Sequence, residues 1–529
     1  MTVTRAANVP VNGLHAVDLL EAHHRRYGDY ERLVFGDTRL SSLALRESAR
    51  RLAAGLAAHG VGRGDRVMVM LLNCPDVFVV YEAIWRVGAA ITPVLTALTE
   101  SELTHVVKQA RPRVFITDDE RLELARRARA EAGVADLILV GAATDAADLA
   151  LEALIDDFDE HPVEAGDPGD LATVLFTGGT TGLSKGVMLT HAALTTMTGA
   201  AQLPLEPSPD DVYLMALPLS HGAGLYDLLA SYFERTRLVM LPRFTPERWA
   251  HAVSTEGVTI TAGVPSMLRY LLDHGVDRDT TRTLRWIMVG AAPVPEELVA
   301  EFTEATGTTV YHGYGLTEAG LAVAQSGPQT PSKSGQDMTP LDGVEVRICA
   351  SNGSQAPTGQ PGELLVRSPG VMLGYWEDPA TTTEALKDGW LHTGDVAILS
   401  EHGQLRIVGR TKDLIIRNGF NIYPLDVERL VRECADVDDV LAVGIPDRLV
   451  GERLAVAYVG TPSAESIEDH LRRKLAANKR PDAVLSVPQL PLTRVGKPDR
   501  KALAAQLADA VSLAVSARLT QAGATKSNK

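Results

Sequence analysis

Thr177-Gly178-Gly179-Thr180-Thr181-Gly182-Leu183-Ser184-Lys185-Gly186 is the stretch on which the reading of the fold turns. Four glycines, three threonines and a lysine lie directly behind an apolar run, 172–176, that reads as a strand. Glycines let the backbone bend until several N–H groups converge on one anion, threonine hydroxyls add donors, and a lysine adds a mobile positive charge. That is the chemistry of a phosphate cradle. The spacing departs from G-x-x-x-x-G-K-[ST], which disfavours the usual triphosphate loop of ATPases and kinases. A plain surface turn is the alternative for this stretch taken alone.

Upstream and downstream of the cradle the apolar pattern alternates between helix and strand periods. Before it come a helix at 43–60, a strand at 66–72, a helix at 75–87, a strand at 89–94, a helix at 100–110 and strands at 113–117 and 136–140. After it come a helix near 192–197, strands at 212–216 and 237–241, a helix at 246–254 and a strand at 258–262. The series goes on with a helix at 266–273, a strand at 286–289, a helix at 295–306 and a strand at 309–311. Such alternation implies right-handed crossovers onto mostly parallel sheets, two of them here. Beyond Gly343 the pattern changes to short strands separated by turns, at 344–349, 363–366, 396–399 and 405–408, which predicts a small β-rich subdomain. The expected fold class is therefore α/β: a large N-terminal domain, 1–409, of two doubly wound α/β subdomains plus the β-rich one. A small mobile α+β C-terminal domain, 410–529, follows. The tail from Ser516 is rich in small and polar residues and reads as frayed.

Bulk properties narrow the function. A chain of 529 residues with 45% hydrophobic content can build large cores. A formal net charge of −16 argues against a nucleic-acid partner, which would need Lys and Arg to neutralise phosphates. Cys74, Cys349 and Cys434 are far apart, with neither a disulfide framework nor a zinc spacing, so a reducing, cytoplasmic home is expected. No signal-peptide core marks the N-terminus, and the most apolar region, 67–94, is broken by Asn73, Pro75, Asp76 and Arg86, so no membrane span is expected.

Other stretches carry chemistry. In Met288-Val289-Gly290-Ala291-Ala292-Pro293 a strand ends in small residues that let a flat ligand approach the backbone; strand-to-helix packing explains it equally well. Tyr314-Gly315-Leu316-Thr317-Glu318 gathers an aromatic face, a hydroxyl and a carboxylate in one loop. Trp390-Leu391-His392-Thr393-Gly394-Asp395 puts a carboxylate just before a new strand, and Gly409-Arg410 ends the next hairpin. A carboxylate accepts hydrogen bonds from a ribose diol and an arginine reinforces that clamp, while a surface ion pair is the bland alternative. Pro491 to Lys501 holds Lys497 on a tight turn between Gly496 and Pro498.

Together these stretches resemble the adenylate-forming, AMP-binding superfamily, of the acyl- and aryl-CoA synthetase type, in an order that covers nearly the whole chain. The family more often has Ser at Gly178 and Pro at Ser184. The resemblance implies an ATP-dependent acid:CoA ligase using ATP, Mg²⁺ and CoA, with the cradle at Thr177, Gly178, Gly179, Thr180, Thr181, Gly182 and Lys185, and nucleotide contacts from Gly290, Ala291, Ala292 and Pro293. It implies that Tyr314 stacks on adenine, Thr317 touches the α-phosphate, Glu318 helps hold Mg²⁺, and Asp395 and Arg410 meet the ribose. Lys412 falls at the family's hinge in 410–413, Gly419 lines the pantetheine tunnel, and Lys497 bridges the substrate carboxylate and α-phosphate. His221, in Ala216 to Leu225, matches the gating position beside the acyl pocket; a buried structural histidine is the alternative. Gly222 stands where amino-acid-activating members usually place an aspartate. With Ala223, Gly224, Ala291, Ala292, Ala319 and Gly320 also small, the expected acid is apolar: aromatic, alicyclic or fatty. The acceptor is CoA or a carrier protein, a stand-alone adenylating enzyme being the alternative function, and a homodimer is open as an assembly.

Overall fold

The computed structural model describes residues 13–133, 136–141, 149–158, 166–177, 184–292, 294–330, 337–350, 352–417, 420–493 and 498–511. The tail from Ser516 thus lies outside the described residues. The chain divides into two compact units, one of Met1–Arg347, Leu365–Thr393 and Gly403–Leu405, the other of Ile348–Leu364, Gly394–His402 and Arg406–Lys529.

In the first unit, among the described residues, one sheet has eight strands. Its parallel centre runs Leu171–Thr177, Ala90–Pro93, Arg66–Met70, Val114–Asp118 and Asp136–Val140 in spatial order. Apolar runs buried on both faces are what a parallel sheet covered by helices demands, and Val67, Met68, Ile91, Phe115 and Ile116 are all fully buried. The helices start where their sequences dictate. Pro75 opens Pro75–Arg86, Ser41 caps Ser42–Ala58, and Thr99 with Glu102 forms a capping box before Glu100–Ala110. Leu103, Val106 and Val107 of the last helix pack with Leu122, Ala125 and Ala128 of Leu122–Ala132 over Phe115 and Leu137.

The second sheet of this unit has nine strands among the described residues, with parallel neighbours Thr309–Tyr314, Trp286–Gly290, Ile260–Gly263, Val212–Met215, Arg237–Met240 and Glu31–Phe35. One face packs on Trp249, Val253, Leu268, Leu271, Leu298 and Phe302 from three helices. Asn73 ties the first sheet to the second: its amide donates to Leu217 O at 2.9 Å and Leu241 O at 3.1 Å, and its Oδ1 accepts from Leu219 N at 2.8 Å. Each such bond contributes about 0.5–1.5 kcal/mol, and Asn73 is 4% exposed, so removal would also strand three backbone groups.

The second unit is built on a long hairpin, Val437–Asp447 with Gly451–Gly460, extended by Ile415–Arg417, Phe420–Ile422 and Ala483–Ser486. Strand alternation gives it two apolar faces. Val440, Ala442, Val456 and Tyr458 meet the helices Pro424–Arg432 and Ala464–Lys474, while Leu441, Val443, Ala455 and Ala457 meet Leu503, Leu507 and Val511. The β-rich stretch between Glu345–Cys349 and Leu405–Arg410 is present, but one expectation is corrected there. Asp395 does not precede a strand; it lies inside Trp390–Leu399. Gly394, at φ +67°, allows a twist within a strand that thereby starts six residues before the apolar run 396–399.

Candidate active site

The cradle hangs from a hairpin. Leu171–Thr177 pairs antiparallel with Lys185–Thr190, so Thr177 faces Lys185 and Phe176 faces Gly186. The Thr177 hydroxyl donates to Lys185 O at 3.5 Å. Gly178, Gly179, Thr180, Thr181 and Gly182 lie outside the described residues, and so do Pro293, Gly419 and Lys497.

A second segment joins the hairpin. Gly374–Tyr375 pairs antiparallel with Lys185–Thr190, placing Tyr375 opposite Val187 and Gly374 opposite Met188. Trp376 N donates to Gly186 O at 2.7 Å, and a Cβ on Gly186 would come within 2.8 Å of Val174 and 3.2 Å of Trp376 Cβ, so glycine is needed for this close approach. The consequence is a three-residue cluster. The Lys185 ammonium sits 5.3 Å from the centre of the Tyr375 ring, and the Tyr375 hydroxyl donates to Glu318 Oε1 at 3.0 Å. Burial and then the neighbouring carboxylate push the Tyr375 phenol well above its usual range, so it stays a donor. Sequence reasoning missed Tyr375, although Gly-Tyr-Trp at 374–376 was a legible aromatic pair behind a glycine.

Glu318 belongs to the turn Thr317–Ala319, which follows Thr309–Tyr314. Met372 N donates to Glu318 O at 2.9 Å, which pins that turn to the segment bearing Tyr375. Gly315 is forced by the fold, since any Cβ there would collide with Leu321 O. Tyr314 sits at the end of its strand, half-buried, its carbonyl accepting from Val323 N at 2.9 Å. Beside it, Gly290 and Gly313 are in register, and a Cβ on Gly290 would lie 2.7 Å from Gly313 O. Ala291 is exposed at φ +65°, a left-handed conformation that non-glycine residues adopt at a cost of order 1–3 kcal/mol. Ala292 is half-buried next to it.

His221 is the N-cap of the helix Gly222–Ala230, its Nδ1 accepting from Ala223 N at 3.2 Å. It is half-buried, and this N-cap contact is a structural role of the kind the alternative reading gives it. A Cβ on Gly222 would meet Leu321 Cδ2 at 2.7 Å and lie 3.8 Å from Thr317 Oγ1, which brings the start of this helix to the Thr317 turn. Two of the small residues expected to widen a pocket are small for other reasons. Gly224 abuts the Pro218 carbonyl, and a Cβ on Gly320, which sits at φ +74°, would come within 2.8 Å of Gly370 O.

In the second unit, Arg410 Nε donates to Asp395 Oδ1 at 2.7 Å, with Asp395 4% exposed and the arginine side chain half in solvent. Lys412 is exposed in the turn Thr411–Asp413, between Leu405–Arg410 and Ile415–Arg417. The stem on either side of 494–497 is fixed: Leu492 bridges Pro498, Asp499 N donates to Pro491 O at 2.9 Å, and Arg500 donates to Ala442 O at 2.6 Å while pairing with Glu428.

These observations define an AMP-binding enzyme, and the chain belongs to that family: residues 20–376 match the AMP-binding enzyme family and 426–497 its C-terminal domain. A feruloyl-CoA synthase from Amycolatopsis sp is 33% identical over 469 residues, spanning 87% of this chain and 93% of that protein. 4-coumarate--CoA ligase 3 from Oryza sativa subsp. japonica is 33% identical over 496 residues, spanning 90% and 88%. Among solved structures, ATP-bound MatB from Rhodopseudomonas palustris has a TM-score of 0.86 at 28% identity, covering 94% of this chain and 99% of its own. No described helix is long and apolar enough to cross a membrane.

Proposed function

We propose that this enzyme is an ATP-dependent acid:CoA ligase that activates an aromatic, alicyclic or fatty carboxylic acid. An oxygen of the acid attacks the α-phosphorus, the bond to the β-phosphate breaks, and pyrophosphate leaves. The CoA thiol, having given up its proton, then attacks the acyl carbonyl, and AMP departs with the bridging oxygen. The observation that carries this reading is the Lys185–Tyr375–Glu318 cluster at the mouth of the cradle hairpin: a cation and a carboxylate are held by one phenol, where a triphosphate needs a counter-charge and a metal anchor. The relatives named for ferulate and 4-coumarate support an aryl acid.

Among the described residues no three His, Cys, Asp or Glu side chains lie together as a metal cage. Mg²⁺ nonetheless suits Glu318, since that ion is commonly held by one or two carboxylates plus substrate phosphates. When bound, it would neutralise charge on the phosphate oxygens. Lys185 meets the outer phosphates, Thr317 the α-phosphate and Tyr314 the adenine. Asp395, with Arg410 fixing its orientation, accepts from the ribose hydroxyls. His221 gates the acid's entry. Residues 1–409 and 410–529 are the two functional parts, Lys412 is the hinge between half-reactions, Gly419 keeps the thiol path clear, and Lys497 offsets charge at the α-phosphorus. Holding the reactants in line contributes much of the rate.

The test separates the two steps. A panel of aromatic, alicyclic and fatty acids is assayed for pyrophosphate release, and then for thioester formation with CoA and, in a parallel arm, with carrier protein. Release with at least one acid and thioester with CoA alone is the expected result. Release with a thioester only on carrier protein would replace the CoA assignment, and no release with any acid would overturn the reading.

A further inference from the structure

Trp376 follows Tyr375 in the chain, and successive side chains of an extended segment point to opposite faces. Tyr375 meets Lys185 and Glu318. Trp376 turns the other way, toward the end of the helix Glu100–Ala110, where its Nε1 donates to Gln109 O at 3.1 Å. Its ring also lies against the Arg66 guanidinium, whose Cζ is 4.9 Å from the ring centre. That guanidinium is a fixed platform: Nε donates to Ala110 O, Nη2 to Arg111 O and Nη1 to Gly64 O, each at 2.8 Å. The last carbonyls of a helix have no partner within it, and here Arg66 and Trp376 supply donors to them. With its edge engaged on carbonyls, the guanidinium presents its flat face, which is the face an aromatic ring stacks on.

The strand beside this anchor is too short to fix its own register. Gly374–Tyr375 has 2 residues, held on Lys185–Thr190 through Leu373 N to Met188 O at 3.0 Å and Trp376 N to Gly186 O at 2.7 Å. Glu377, at φ +54°, then turns the chain and pairs with Arg111. Backbone bonds of a short ladder re-form one residue along, and such a slip exchanges the two faces of the strand. It would turn the phenol out and the indole in, and Lys185 and Glu318 would lose the group between them. The two contacts of the indole belong to one register alone.

We infer that Trp376 is a positioning residue of the phosphate site: seated on Arg66 and the Gln109 carbonyl, it holds the register that keeps Tyr375 on Lys185 and Glu318. The inference rests on the roles proposed above for those two residues and deepens them, because the end of the helix Glu100–Ala110 becomes part of what sets nucleotide affinity.

A mutant cycle tests it. ATP binding is measured by calorimetry at fixed Mg²⁺, with no acid present, in wild type, Trp376→Leu, Trp376→Phe, Tyr375→Ala and the corresponding double variants. Trp376→Leu removes a cation–π contact and a neutral hydrogen bond, which together correspond to roughly 5- to 70-fold in an equilibrium, and ATP binding is expected to weaken within that range. Trp376→Phe keeps a ring for the guanidinium and gives up only the Nε1–H bond, so a loss of roughly 2- to 10-fold is expected. Combined with Tyr375→Ala, neither change should cost anything further, because the group they hold in place is gone. A residue that merely packs would instead add its loss to that of Tyr375→Ala. Additive losses, or no loss in either Trp376 variant, overturn the inference while Tyr375→Ala remains weakened. Tyr375→Ala binding ATP as tightly as wild type overturns the reading of the Lys185–Tyr375–Glu318 cluster, and the inference with it. Trp376→Phe retains most of the ring, so it decides the cycle if Trp376→Leu does not fold. Because no acid takes part, failure of the acid-activating reading shows in the pyrophosphate panel and not in this measurement.

Discussion

Tyr375→Phe isolates one hydroxyl in the proposed catalytic cluster. The ring remains over Lys185, 5.3 Å from the ammonium, and the lost element is the 3.0 Å hydrogen bond to Glu318. A hydrogen bond to a charged group is worth about 1.5–3 kcal/mol, or roughly 10- to 150-fold in an equilibrium or a rate. Groups that orient a metal-binding carboxylate show losses of about 10- to 100-fold in metal affinity or activity on mutation, so the two estimates overlap. ATP–pyrophosphate exchange, followed as Mg²⁺ is titrated, is the assay. The Mg²⁺ midpoint should rise within that range at an unchanged KM for the acid, with little change in melting temperature because Tyr375 is only half-buried. Tyr375→Ala should lose a further factor of about 2 to 5, the worth of an exposed cation–π contact of about 0.5–1 kcal/mol. If Tyr375→Phe matches wild type in its Mg²⁺ midpoint, or if all its losses follow a collapse in melting temperature, the phenol does not position Glu318.

Three more outcomes are expected. Lys497→Ala should cripple pyrophosphate release yet spare thioester formation from supplied acyl-adenylate, and equal loss in both assays would remove its assigned role; Lys412→Pro should do the reverse. Arg410→Lys keeps the charge but not the Nε–H that meets Asp395 at 2.7 Å, so the KM for ATP should rise about 10-fold, by the 1.4 kcal/mol or so of one charge-assisted bond, whereas an unchanged KM counts against the ribose clamp. For Asp227 the folded pKa lies above the unfolded one, so as pH rises from about 4 to about 7 the unfolded chain releases its proton first and wild-type stability falls. Asp227→Asn lacks that loss and should gain on wild type by roughly 4 kcal/mol across the window, from three pK units at 1.36 kcal/mol each, read as diverging denaturant midpoints. Parallel midpoints from pH 4.5 to 7.5 would refute it.

Much of the fold was legible because long periodic segments declare themselves. The helix at 100–110 and the strand at 136–140 occupy the lengths their patterns gave, and the helix predicted at 75–87 ends one residue earlier, at Arg86. What escaped was set by tertiary partners. Lys185–Thr190 is a strand only because Leu171–Thr177 and Gly374–Tyr375 flank it, and Gly222–Ala230 is a helix despite two glycines because His221 caps it and its apolar face is buried. In the site, motif residues such as Glu318 and Asp395 were readable one at a time, but Tyr375 acquires its meaning 57 positions from Glu318, across a sheet edge. Asp227 looked like an ordinary helix carboxylate until its burial was known.

The antiparallel stem beneath the proposed phosphate loop has an electrostatic corollary. In nucleotide folds where a glycine-rich turn feeds directly into a helix, the aligned peptide dipoles of that helix lend about half a unit of positive charge to the anion. Here the glycine-rich stretch is followed by Lys185–Thr190, a strand whose peptide dipoles alternate and nearly cancel. In the proposed role, loop N–H groups and hydroxyls then act without a helix dipole behind them and Lys185 supplies the formal charge, so nucleotide capture by this protein should weaken with rising ionic strength more steeply than capture by a helix-fed loop.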